Sequence, residues 1–189
     1  MLAIIRKDWE ELRRLVTLGG AAMLAPVAAL RVGAARPQLA WSMVEGVVAA
    51  TPFLYAHYVF ALERRPNALG FVLSLPITPT RFILAKYASV FSMTLFTVSA
   101  PGLLLGDVRF LFYANSAALF FAAMFMAPTV VSDKAWIAQI PFFLLLLLRI
   151  ALLPLNWVQS HPAIYSVLAL ALTGLTVFYS AHLFSVKSA

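Results

Sequence analysis

Six long apolar stretches leave this chain few ways to fold: about Leu15 to Ala35, Leu39 to Leu62, Phe82 to Leu105, Phe110 to Val131, Ala135 to Leu155 and Ala163 to Ser185. Each has roughly the 20 residues that a helix rising ~1.5 Å per residue needs to cross a hydrocarbon core about 30 Å thick. None shows the strict alternation of a membrane barrel strand, and a helix satisfies its own backbone hydrogen bonds where no water can. The expected fold class is therefore all-α, a polytopic membrane protein with six transmembrane helices. The composition agrees, with 63% hydrophobic residues, 11% charged residues and a mean hydropathy of +0.92. Zero cysteines exclude disulfides, thiolate metal sites and thiol catalysis. The first sixteen residues alternate charge with hydrophobes and lead to no small-residue cleavage pattern, so a removed leader is not expected.

Lysine and arginine set the orientation. With a cytoplasmic N-terminus, the inner face receives Arg6, Lys7, Arg13, Arg14, Arg64, Arg65, Arg81, Lys86, Lys134 and Lys187, while the outer face receives Arg31, Arg36 and Arg109. That asymmetry predicts a multi-pass protein of the cell inner or plasma membrane with both termini cytoplasmic. It also accounts for the formal charge of +7 as a topological signal, so no nucleic-acid partner is expected. Membrane lipid is the expected solvent of the spans.

The chain reads as one membrane domain, 1–189, with two elements outside the spans. In residues 1–16, Leu2, Ile5, Trp9, Leu12 and Val16 recur at spacings of three and four, while Arg6, Lys7, Asp8, Glu10, Glu11, Arg13 and Arg14 fill the opposite face. This predicts an amphipathic interfacial helix lying in the inner headgroup layer. The connection 63–81 is long enough for a short helix in which Pro66 occupies the first turn, Leu69, Val72 and Leu73 share a face, and Pro76 and Pro79 end it. The other connections are too short for a folded extramembrane unit.

Catalytic and cofactor signatures are missing from the chain. It has no G-x-x-x-x-G-K-S/T phosphate loop, no H-E-x-x-H and no G-x-S-x-G, and His57, His161 and His182 fall in different segments. No ATPase site, cofactor or metal is expected in this chain, and it is not expected to be an enzyme. Within the spans, Glu45 and Arg149 fall at similar depth below the outer face. A lone charge there costs at least ~2.5 kcal/mol, so the two are expected to pair across a translocation path. Pro26, Pro52, Pro101, Pro128, Pro141 and Pro154 lie in or near the spans and can place kinks.

The run from Glu63-Arg64-Arg65-Pro66 through Ser74-Leu75-Pro76-Ile77-Thr78 to Arg81 and Lys86-Tyr87 resembles the cytoplasmic segment of ABC-2 type transporter permeases. In that family an acidic residue ends the second span, and an S-L-P-[IV]-[ST] turn leads into a basic third span containing K-Y. The chain departs from the pattern after the turn, where Pro79 and Thr80 stand in place of a further basic residue. The resemblance implies a permease subunit that pairs with a second copy or a similar permease and binds two copies of a cytoplasmic ABC ATPase, which carries the ATP and magnesium. It makes 63–81 a coupling segment, with Glu63, Arg64, Arg65, Leu69, Phe71, Leu73, Pro76 and Arg81 as its ATPase-coupling residues. Small permeases of this shape export amphipathic peptides, including phenol-soluble modulins and bacteriocins, as well as drugs. An ion-coupled secondary transporter is the alternative, and an integral membrane enzyme the third reading; the first predicts inverted repeats and several midplane acids, which the chain lacks.

Overall fold

The computed structural model describes residues 1–33, 37–63, 77–105, 108–131 and 161–187, and among these the architecture is entirely helical. Five helices follow one another: α1 Leu2–Arg31, α2 Pro37–Glu63, α3 Pro79–Leu105, α4 Val108–Val131 and α5 Pro162–Lys187. Three of them open on proline, whose fixed φ and missing N–H suit a first helical position. At α3 the start is built in full. Thr78 accepts at Oγ1 from the Arg81 N–H at 3.4 Å and at its carbonyl from the Phe82 N–H at 3.0 Å, so Thr78 caps the helix and Pro79 fills its first position. Pro79 thus starts the third span three residues before the expected Phe82.

α3 is the hub, packing against α1, α2, α4 and α5. Two apolar cores flank it. One gathers Leu12, Val16, Tyr55, Ala56, Val59, Ile83, Tyr87, Val90, Met93, Ala122, Ala123, Phe125 and Met126. The other gathers Met23, Val27, Val48, Val98, Ala114, Ala117 and Ala118. α4 contributes only alanine to the buried part of the second core (Ala114, Ala117, Ala118) and Ala122 and Ala123 beside Phe125 and Met126 to the first; small residues let helices approach closely where lipid removes the hydrophobic drive to associate. The outward face of α5 is apolar as well. α5 exposes Ile164, Val167, Leu168, Leu172, Leu175 and Phe178, the last at 74%, an arrangement that suits acyl chains and not water.

Six spans are more than the described helices support. Three are long and apolar enough to cross a membrane: Leu2–Ala29, Thr80–Ala100 and Ala163–Leu183. α4 holds a shorter apolar stretch, Leu111–Ala127, and α2, although 27 residues long, carries Glu45, Thr51, Pro52 and His57 along its course. The expected span Ala135 to Leu155 lies outside the described residues. These apolar helices have the character of a membrane protein.

The N-terminal region departs from expectation in two ways. The surface helix of residues 1–16 and the first span are one continuous helix of 30 residues, with no break between them. At ~1.5 Å per residue that is about 45 Å, so α1 outreaches a core about 30 Å thick by about 15 Å. Its packed stripe is also shifted around the helix from the one expected: Ile4, Asp8, Leu12 and Val16 are buried, and Leu2 is exposed. Asp8 therefore belongs to the packed face and not to the charged one. Arg6, Glu10, Glu11, Arg13 and Arg14 are exposed as expected.

Candidate functional site

Where the shifted stripe of α1 meets α3, the structure buries a charge pair. Lys86 Nζ donates to Asp8 Oδ1 at 2.7 Å, with the two side chains 0% and 1% exposed. The ammonium also lies 5.5 Å from the Phe82 ring centroid, close enough for a cation–π contribution. Beside the pair, Trp9 Nε1 donates to Ser92 Oγ at 2.8 Å, Ser92 donates on to the Ser89 carbonyl at 2.9 Å, and the Trp9 ring meets Phe96 edge-on at 5.6 Å. Asp8 and Trp9 are neighbours in sequence, and Lys86, Ser89, Ser92 and Phe96 recur at three- and four-residue spacing on α3. That places the charges, indole and hydroxyls on facing helix surfaces.

Taking two ions out of water costs several kcal/mol each, and their attraction offsets this only with good geometry and full hydrogen bonding. Here the carboxylate is half satisfied. Asp8 Oδ2 is buried without a hydrogen-bond partner among the described residues. A pair of this kind fixes which two surfaces meet more than it stabilises the bundle.

Further along α3 the polar contacts continue. The Thr97 hydroxyl donates to the Met93 carbonyl at 2.9 Å, which leaves it to accept from Tyr55 Oη at 2.8 Å. Gly19 of α1 sits against this bond: a Cβ there would stand 2.9 Å from Tyr55 Oη and 3.2 Å from Thr97 Cγ2. Glycine is what lets α1, α2 and α3 cross so closely. In the same way Ser180 donates to the Val177 carbonyl and accepts from Tyr87 Oη at 2.7 Å, tying α3 to α5. Ser99 donates to Asn115 Oδ1 at 3.0 Å, and Ser116 to Ser166 Oγ at 3.0 Å, linking α3 to α4 and α4 to α5. α3 is thus a polar spine inside an apolar bundle.

The residues expected to couple to an ATPase are only partly placed. Glu63 closes α2, and Arg81 is exposed in the first turn of α3. Arg64, Arg65, Leu69, Phe71, Leu73 and Pro76 lie outside the described residues. Glu45 belongs to α2, while Arg149 lies outside the described residues, and so does their expected pairing. His57 stacks on Phe53 at 6.2 Å and meets Tyr58 edge-on at 5.9 Å. Tyr113 of α4 and Tyr165 of α5 pack together with ring centroids 5.2 Å apart. Among the described residues no three His, Asp or Glu side chains gather as metal ligands would.

Sequence reading missed the Asp8–Lys86 pair, although both halves left a trace. Lys86 interrupts an otherwise apolar run, and Asp8 falls between Ile4 and Leu12 at four-residue spacing. Comparison with family models, with curated proteins and with solved structures finds no match.

Proposed function

We propose that this chain is the membrane-spanning permease subunit of an ATP-binding cassette exporter. In this reading it has six spans and cytoplasmic termini, sits in the plasma membrane and pairs with a second permease. Two separate cytoplasmic ATPase subunits hold the ATP and magnesium, and the chain has no ATPase site of its own. The substrate class is amphipathic or antimicrobial peptides or drugs, passed along a path near Glu45 and Arg149.

The observation that best supports this reading is the position of α3. The basic, proline-marked segment after Glu63 leads directly into the capped start of the helix that packs against every other described helix. A push delivered to residues 64–76 by a partner therefore has a rigid lever to act on, and the Asp8–Lys86 pair passes the movement to α1. Leu69, Phe71 and Leu73 give that segment an apolar surface for a cleft in the ATPase, with Arg64, Arg65 and Arg81 against an acidic rim.

The test is assembly. The purified chain alone is expected to hydrolyse no nucleotide and to copurify with a soluble ATPase in equal amount. Burial of an aromatic anchor is worth roughly 1.5–3 kcal/mol, so Phe71→Asp is expected to weaken assembly tenfold or more, roughly, while Gln159→Ala leaves it unchanged. Full assembly and substrate-stimulated ATPase activity with both Phe71→Asp and Leu69→Asp would contradict the proposal.

A further inference from the structure

Two adjacent glycines in α1 have different surroundings. Gly19 is required by packing, because any Cβ would press on Tyr55 Oη and Thr97. Gly20 is not: among the described residues a Cβ there meets nothing within 4 Å. Glycine within a helix is less favourable than alanine by roughly 1 kcal/mol, so Gly20 weakens α1 with no packing return. Paired small residues are also a common place for a helix to bend. Beyond the glycines, Met23 and Val27 are locked into the second core with Val48, Val98 and Ala114. Before them, α1 meets α3 through Asp8, Trp9, Leu12 and Val16, while its opposite face, Arg6, Glu10, Arg13, Arg14 and Thr17, is exposed.

We infer that residues 2–18 of α1 form a latched arm that swings off α3 about Gly19–Gly20, with the Asp8–Lys86 pair as the latch. The geometry supplies each part. The pivot has a tight residue that holds position and a loose one that bends. The exposed face gives the arm room among the described residues. The latch is a buried pair whose second carboxylate oxygen is unsatisfied, so the closed state carries a penalty that water relieves on opening. Trp9 leaves Ser92 and Phe96 in the same movement. This inference does not depend on the permease reading, since any membrane protein with this seam has the same arm.

The chain has no native cysteine, so a single introduced thiol reports alone. Ala85 is 0% exposed and stands on α3 beside Lys86, the residue that holds Asp8, and one turn before Ser89. The rate at which a water-soluble maleimide labels Ala85→Cys in the full chain in micelles therefore reads the opening. Lys86→Met, which leaves Asp8 buried without its partner, is expected to raise that rate roughly tenfold or more. Gly20→Ala is expected to lower it about fivefold. Ala118→Cys, equally buried but on α4, is the control: its labelling stays unchanged when the opening is local. Labelling of Ala85→Cys at the parent rate in the Gly20→Ala background overturns the inference. So does equal acceleration at Ala85 and Ala118 in a folded Lys86→Met protein. Should Lys86→Met fail to yield a monodisperse helical protein, the Gly20→Ala rate decides alone.

Discussion

The α1–α3 seam and the α4 seams solve the same problem with opposite chemistry. At α1–α3 a buried ion pair, an indole N–H and a string of serines meet across the helices. α4 instead meets its neighbours without a buried charge, through Ala114, Ala117, Ala118, Ala122 and Ala123 beside Phe125 and Met126, with Ser99–Asn115 as its polar link to α3 and Ser116–Ser166 to α5. Small residues give close approach and tolerate sliding by a fraction of a turn; a charge pair tolerates none, because a displaced partner leaves an ion in an apolar interior. The first seam specifies register and the second supplies contact area.

This contrast orders the expected effects of substitution. Lys86→Met is the largest, with a loss of about 3–5 kcal/mol in unfolding free energy measured by denaturant titration in micelles, because Asp8 is left buried and unpaired. Gly19→Leu comes next. Its side chain is driven onto Tyr55 Oη and Thr97, for a loss of about 1–3 kcal/mol, and Gly20→Leu in the same assay is expected to cost far less because the space is open. Ala118→Leu, at a site 0% exposed, is expected to cost a similar ~1–3 kcal/mol by overpacking. Tyr87→Phe removes only the donor to Ser180 and is expected to cost about 1 kcal/mol, visible as a small drop in midpoint. Leu168→Ala on the outward face of α5 stays within ~0.5 kcal/mol. If Ala118→Leu cost as much as Lys86→Met, the two seams would not differ in kind.

Much of the helical framework was legible in the sequence because a continuous apolar run has one solution in lipid. The expected starts at Leu39 and Ala163 fall within two residues of the observed Pro37 and Pro162. The boundary within α1 was misread. Of the expected stripe, Leu12 and Val16 are buried and Trp9 packs on α3, but Leu2 is exposed, and only the partner helix reveals that Ile4 and Asp8 belong to the packed set. Pro79 was read as a stop when it fills the first position of the next helix, a distinction that depends on the Thr78 cap. The Asp8–Lys86 contact joins residues 78 positions apart, and sequence spacing carries no information on which helices will be neighbours.

A double-mutant cycle on Asp8 and Lys86 tests the pairing most directly. Unfolding free energies are compared for the parent, Asp8→Leu, Lys86→Met and the double variant. If the pair fixes the seam, each single variant is strongly destabilised and the double recovers much of the loss, with a coupling of at least ~2 kcal/mol. Losses that add to within ~0.5 kcal/mol would mean that the two charges do not depend on each other, and would contradict it.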